Sequence, residues 1–136
     1  MDYPVTKLTH FFTADNSNKP SAVLDFENET NQTTIRFSLG LLYIKNTNNY
    51  YISVEIKSKL ETLFNQTVEY TTDIDTIPKG NIIDKNLFGA TLDYTTAVIT
   101  FKSSGPVRVK ATLYDNHGFE IDTLYTELFL KNVKTH

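Results

Sequence analysis

Residues 105–122 read GPVRVKATLYDNHGFEID, the pattern of two strands joined by a tight turn. Apolar side chains recur at every second position of the first half, at Val107, Val109, Ala111 and Leu113. This two-residue period is typical of a strand with one buried face. Turn-forming residues follow at 115–118, and the alternation resumes at Phe119 and Ile121. The stretch predicts a β-hairpin with Asp115 opposite Phe119 and Leu113 opposite Ile121.

A second hairpin is predicted around a turn at residues 46–49. The strand before it, 34–44, is the longest, and its expected inward side chains are Ile35, Phe37, Leu39, Leu41 and Tyr43. The strand after it, 50–57, has Tyr50, Ile52, Val54 and Ile56 in one phase. A four-residue loop sets Tyr43 against Ile52 and Leu41 against Val54, so the two phases agree. Gly40 lies on the opposite face, where it indicates a bend or the close approach of a neighbour.

Further short strands are predicted at 8–13, 22–27, 67–71, 88–92 and 95–102. Residues 58–61 resemble a helix capping box, and Leu60, Leu63 and Phe64 have helical spacing, which predicts one or two helical turns. Apolar parity changes between Ile121 and Leu124 in the last strand. A β-bulge near Thr123 would keep both sets of side chains facing inward.

These elements predict an all-β fold, a two-layer antiparallel β-sandwich of eight or nine strands with at most one short helix. The 136 residues fit a single domain, 1–136, because no linker or repeat divides them. The "strand, Asp-Asn-x-Gly, strand" pattern of residues 113–121 resembles the last two strands of bacterial and phage immunoglobulin-like, or fibronectin-type, domains. The resemblance implies an immunoglobulin-like sandwich used for adhesion, assembly or ligand contact, and it implies no catalytic residues.

Composition disfavours several classes of function. The chain has 13 basic and 16 acidic side chains, a net charge of −3, and no basic cluster that could neutralise a row of phosphates. Nucleic-acid binding is therefore not expected. Cysteine is absent, which removes disulfides and thiolate sites and favours a reducing compartment. The longest apolar stretch, 39–44, is too short to span a bilayer, and residues 1–7 do not have a signal-peptide pattern. A cytoplasmic or virion-associated location is expected.

Catalytic motifs are not visible in the sequence. His10, His117 and His136 lack metal-ligand spacing, and His117 falls in the predicted turn of the last hairpin. The sequence has no phosphate-binding glycine loop and no nucleophile elbow. We therefore expect a non-enzymatic protein that needs no cofactor.

Tyrosines provide the main candidate contact site. Tyr51 and Tyr114 fall in the outward phase of their strands, and Tyr94 falls in a predicted turn. On one sheet face they could stack on a sugar or anchor a protein partner. The alternative is that they only cover neighbouring strands. Exposed strand edges are a second route, on which a protein partner or a second copy of the chain could add a strand.

Acidic residues cluster once, at Asp73, Asp75 and Asp84, before the sequence Leu87-Phe88-Gly89. This arrangement looks like the calcium-loop region of C2 domains, and converging carboxylates would suit Ca²⁺. The alternative is a polar loop with Asx turns at strand ends. The sequence thus predicts an interaction or assembly module. Small-ligand binding, of a carbohydrate by the tyrosines or of Ca²⁺ by this loop, is the alternative function.

Overall fold

The structure, a computed structural model, describes residues 5–15, 17–27 and 29–133. Within these ranges the regular structure is β-strand, apart from two short 3₁₀ turns at Ile74–Thr76 and Lys79–Asn81. The strands are β1 (Lys7–Ala14), β2 (Val23–Phe26), β3 (Gln32–Thr33), β4 (Arg36–Lys45), β5 (Tyr50–Lys57), β6 (Thr62–Tyr70), β7 (Ile82–Asp84), β8 (Leu87–Thr95), β9 (Ile99–Thr100), β10 (Gly105–Tyr114) and β11 (Glu120–Asn132).

Two sheets form the layers of a sandwich. One has the order β1-β4-β8-β7, the other has the order β2-β11-β10-β5-β6, and a small ribbon joins β3 to β9. Neighbouring strands are antiparallel except β2 and β11, which are parallel. In an immunoglobulin sandwich, strands A, B, E and D form one sheet and C, F and G the other. The chain follows this order, with β1, β4, β8 and β7 in the places of A, B, E and D, and β5, β10 and β11 in the places of C, F and G. The predicted immunoglobulin-like β-sandwich is confirmed.

The core lies between the two sheets and is built by apolar side chains at alternate positions of their central strands. On β5 and β10 every second side chain is buried, and these residues are Tyr50, Ile52, Val54, Ile56, Val107, Val109, Ala111 and Leu113. β4 supplies Phe37, Leu39 and Leu41 from the facing layer. The inward phases predicted for these three strands are confirmed at all of these positions.

The predicted hairpin between β4 and β5 is wrong. β4 pairs with β1 and β8, whereas β5 pairs with β10 and β6. Residues 46–49 therefore carry the chain from one layer to the other. The Lys45 N–H donates to Tyr50 Oη at 3.1 Å, which ties the two ends of this crossing together. Both strands bury one face in the same core, so their phases agree whether they pair or stack.

Tyr43 was predicted to point inward, and this is also wrong. The register of β4 shifts between Leu41 and Ile44, and Tyr43 has a φ of 56° in the left-handed region. Ile44 is fully buried in its place. The prediction at Gly40 is confirmed, because a Cβ added there would overlap the side chains of Thr9 and His10 on β1.

The helix predicted after Ser58 is wrong. Ser58 Oγ accepts hydrogen bonds from the N–H groups of Leu60 (3.3 Å) and Glu61 (3.2 Å), as a capping serine would. The Ser58 N–H, however, donates to the carbonyl of Glu61 at 2.9 Å and closes a turn. The chain then returns as β6 beside β5, so the hydrogen bonds of Ser58 stabilise a hairpin turn and not a helix.

The final hairpin forms, with one change of register. The Asp115 N–H donates to the carbonyl of Phe119 at 2.9 Å, as predicted. Leu113, however, lies opposite Asp122 and Tyr114 opposite Glu120, so Ile121 is the extra residue of a bulge. The bulge was predicted near Thr123, two positions too late. Phe119 was predicted to point inward, and this is wrong, because it lies next to the turn and is 70% exposed.

The strand predicted at 95–102 is reduced to β9, two residues long. Ile99 and Phe101 are buried as their parity predicted, but Ala97 is exposed.

Candidate binding site

The two sides of the sandwich differ. On one side β2 pairs with the end of β11, and the Leu8 N–H of β1 donates to Asp122 Oδ2 of β11 at 2.9 Å. The hydrogen bond from Leu8 to Asp122 connects the two sheets. On the other side the five-stranded sheet ends in β6 and the four-stranded sheet ends in the short β7, which pairs with β8 only at Leu87 and Phe88. Within the described ranges no further strand pairs along this side, which we call the open side.

A cavity of about 240 Å³ lies between the sheets on the open side. Its walls are mostly apolar, and its lining residues include Phe37, Leu39, Ile52, Val54, Phe64, Val68, Tyr70, Leu92 and Tyr94. A dry apolar cavity of about 150 Å³ accepts a benzene molecule. The space is therefore sufficient for one large apolar side chain or a small apolar molecule.

Tyr94 and Gln66 connect the two sheets at this cavity. Tyr94 Oη donates to Gln66 Oε1 at 2.8 Å, which links β8 to β6. The Tyr94 ring also packs on Phe37, with ring centroids 5.1 Å apart. The prediction that Tyr94 lies in a turn is wrong, because it lies inside β8 and lines the cavity.

Tyr70 forms part of the cavity wall at the end of β6. Burial raises the pKa of its phenol above the ordinary value, because the ionised form loses solvation there. The cavity environment therefore favours the neutral side chain.

β6 is an unprotected edge. It runs for nine residues, Thr62–Tyr70, and contains neither proline nor lysine, and Glu69 is its one charged residue. Natural edge strands are commonly blocked by such residues or covered by another element. This edge was not predicted, because the helical spacing of Leu60, Leu63 and Phe64 assigned Phe64 to a helix. The alternation of Phe64, Gln66, Val68 and Tyr70 was the signal that could have found it.

Tyr51 and Tyr114 are brought together. They are direct cross-strand partners on the outer face of the five-stranded sheet, and both are half-buried. The next pair on this face is Ser53 with Thr112. Tyr94, the third predicted contact residue, lies in the other sheet.

Tyr125 on β11 was missed. It is 52% exposed on the same outer face and lies opposite Lys110, and the Arg108 guanidinium is 4.6 Å from its ring centroid. The inward parity predicted for Leu124 already assigned Tyr125 to the outward phase, and this was the signal that could have found it.

The acidic residues lie in local turns. Asp73 Oδ1 accepts the Asp75 N–H at 3.1 Å and caps the 3₁₀ turn Ile74–Thr76. Asp84 Oδ1 accepts the Asn86 N–H at 2.9 Å between β7 and β8. In the described part of the chain, no three His, Cys, Asp or Glu side chains are grouped so that they could hold a metal ion. The calcium site stays a prediction from the sequence.

The two described histidines have separate surroundings. His10 Nε2 lies 3.3 Å from Ser38 Oγ, and its ring stacks on Phe12. His117 lies in the exposed turn of the last hairpin, where its N–H donates to Asp115 Oδ1 at 2.9 Å. His136 is outside the described residues.

The sequence matches no protein-family model and no curated protein sequence. Among solved structures, the chain is similar to the periplasmic chaperone SfaE, at 12% sequence identity and a TM-score of 0.38. The match covers 84% of this chain and 55% of the chaperone chain, so our chain spans about half of that protein's length. No helix among the described residues is long and apolar enough to cross a membrane.

Proposed function

We propose that this chain is a non-enzymatic protein-interaction module that binds an extended segment of a partner protein along the free edge of β6. The apolar cavity that opens beside this edge is the observation that supports the proposal most directly. In strand addition, main-chain hydrogen bonds provide affinity, and pockets for alternate side chains provide specificity. The open side offers both features in one place.

The geometry also indicates the kind of segment that fits. Because side chains alternate along a strand, every second residue of an added strand would face the cavity. Phe64 and Val68 of β6 lie on this face and are half-buried. A partner segment with apolar residues at alternate positions would cover them and place one side chain in the cavity.

Binding can be tested with synthetic peptides. Ten-residue peptides with alternating apolar and polar residues are compared, by fluorescence polarisation, with peptides of the same composition in helical spacing. We expect the alternating set to bind and the helical set not to bind. Equal binding of the two sets, or binding of neither, would refute strand addition.

Two proline variants locate the binding edge. Successive residues of an edge strand direct their N–H groups alternately toward the neighbouring strand and toward solvent, and proline is tolerated only at the solvent-directed positions. Of Gln66→Pro and Thr67→Pro, one variant should therefore keep the wild-type fold. That variant should lose peptide binding, and undiminished binding by it would contradict the proposal.

A second candidate function is carbohydrate binding on the outer face of the five-stranded sheet. The cross-strand pairing of Tyr51 with Tyr114 on this face favours it. Aromatic rings at a sheet surface suit sugar stacking. A glycan array that stays blank for the wild type would count against it, and so would signals that survive Tyr114→Ala. Tyr125→Ala is the matched control.

We also propose a bacterial or phage origin and a cytoplasmic or virion-associated location. An assembly module in a virion or a cytoplasmic complex would agree with a protein partner. Nucleic-acid binding remains disfavoured by the net charge of −3.

A further inference from the structure

The free edge of β6 could be paired by a strand of the same sequence. Resting on the proposed function, we propose that this strand is β6 of a second copy of this chain, paired antiparallel about a two-fold axis at Gln66. The two five-stranded sheets would then form one continuous sheet of both copies. An interface of this kind uses the same surface on both subunits, so the strand must be complementary to itself.

The sequence of β6 has this self-complementarity. Directly opposite residues of an antiparallel pair share a face of the sheet. With Gln66 opposite itself, Phe64 lies opposite the partner's Val68, and the symmetry repeats this apolar pair. These side chains point to the cavity side of the sheet. Moving the register by two residues in either direction sets Gln66 against Phe64 or Val68, so the apolar pair of Phe64 with the partner's Val68 is lost.

Charges agree with the same register. Glu69, the one charged residue of β6, lies opposite the partner's Leu63, so the two Glu69 carboxylates lie at opposite ends of the paired segment. The turn before β6 contains Lys59, and Asp73 follows the strand; both are exposed. In the proposed register Lys59 and the partner's Asp73 lie at the same end of the paired strands, where an approach of these opposite charges would be attractive. The net charge of −3 opposes self-association only weakly.

Gln66 suits the position on the axis. Its side-chain amide can both donate and accept hydrogen bonds, so two facing amides can bond to each other. Gln66 is exposed, and its Oε1 accepts a hydrogen bond from the Tyr94 hydroxyl across the cavity. Its replacement therefore changes the edge without removing a core side chain.

A charge-swap experiment tests the pairing. The dimerisation of the wild type is measured by light scattering after size exclusion and by sedimentation, from micromolar to millimolar concentrations. Gln66→Lys and Gln66→Glu each set like charges face to face, and each should weaken dimerisation by about fivefold or more. An equimolar mixture should regain wild-type affinity, with heterodimers counted by native mass spectrometry.

Thr67→Lys is the matched control, because it adds the same charge one residue away on the other face, opposite the partner's Asn65. A lysine on either face of an edge strand disfavours pairing to some extent, so Thr67→Lys should weaken dimerisation less than Gln66→Lys does, and mixing it with Gln66→Glu should restore nothing. Thermal melts confirm that each variant keeps the wild-type fold.

The outcomes separate the two proposals. A wild type that stays monomeric throughout, yet binds alternating peptides at β6, overturns self-pairing and leaves the proposed function intact. A monomer that binds no peptide overturns both. A dimer that tolerates both Gln66 variants, or a mixture that regains nothing, overturns pairing about Gln66.

Discussion

Val54→Ile tests how much space the cavity on the open side leaves for an added methylene. Val54 is 5% exposed, lies opposite Ala111 and Gln66, and lines the cavity of about 240 Å³. The substitution adds one methylene and keeps the β-branched side chain. Burying a methylene contributes about 0.8 kcal/mol, and the space beside Val54 removes the usual cost of overpacking. We expect the free energy of unfolding to rise by about 0.8 kcal/mol and the melting temperature by roughly 2–4 °C.

Val109→Ile is the matched control on the neighbouring strand. Val109 is fully buried, lies opposite Ile56, and does not line this cavity. The same extra methylene should therefore destabilise the protein by about 1–3 kcal/mol. Both variants are measured by urea denaturation, with the slope of the transition checked for constancy. If both variants lost stability by similar amounts, the reasoning about the cavity would be refuted.

Three further predictions concern single groups. Tyr50→Phe leaves the Lys45 N–H without its acceptor and should lower the free energy of unfolding by about 1–3 kcal/mol in urea titrations; an unchanged value would contradict the assigned crossing between the sheets. The raised pKa of Tyr70 means that stability is fully present below the unfolded pKa of about 10 and falls as pH rises through the folded value. Tyr70→Phe should make the loss of stability between pH 9 and 11 less steep, and an identical loss in the variant would show that Tyr70 does not contribute. The carboxylates of Asp73 and Asp84 already accept backbone hydrogen bonds, so melting temperatures in Ca²⁺ and in EDTA should be equal. A bound ion at about 100 times its dissociation constant would instead add about 2.7 kcal/mol.

The inward-facing positions of the central strands could be predicted from the sequence, because they follow from the local alternation of apolar and polar residues. The buried phases of β5 and β10 follow directly from alternation. The partner of each strand could not be predicted in the same way. β4 and β5 satisfy the same phase whether they pair in one sheet or face each other across the core, and only the tertiary arrangement distinguishes these cases.

The candidate site was only partly accessible to sequence reasoning. Tyr51 and Tyr114 could be assigned to outward phases, but their contact depends on the pairing of β5 with β10. The cavity depends on where β7 stops along β8, which no local pattern encodes. The β6 edge was hidden because Leu60, Leu63 and Phe64 have helical spacing by coincidence, while pairing with β5 determines the actual conformation.

Amide hydrogen exchange tests the central claim, that β6 is the edge through which this protein binds. In dilute solution, the amides of β6 that do not bond to β5 should exchange rapidly, while those shared by β2 and β11 stay protected. At high concentration, protection should increase in β6 and not in β2. Protection of β6 that does not change as dimers form, or that increases first on the β2 side, would contradict the account.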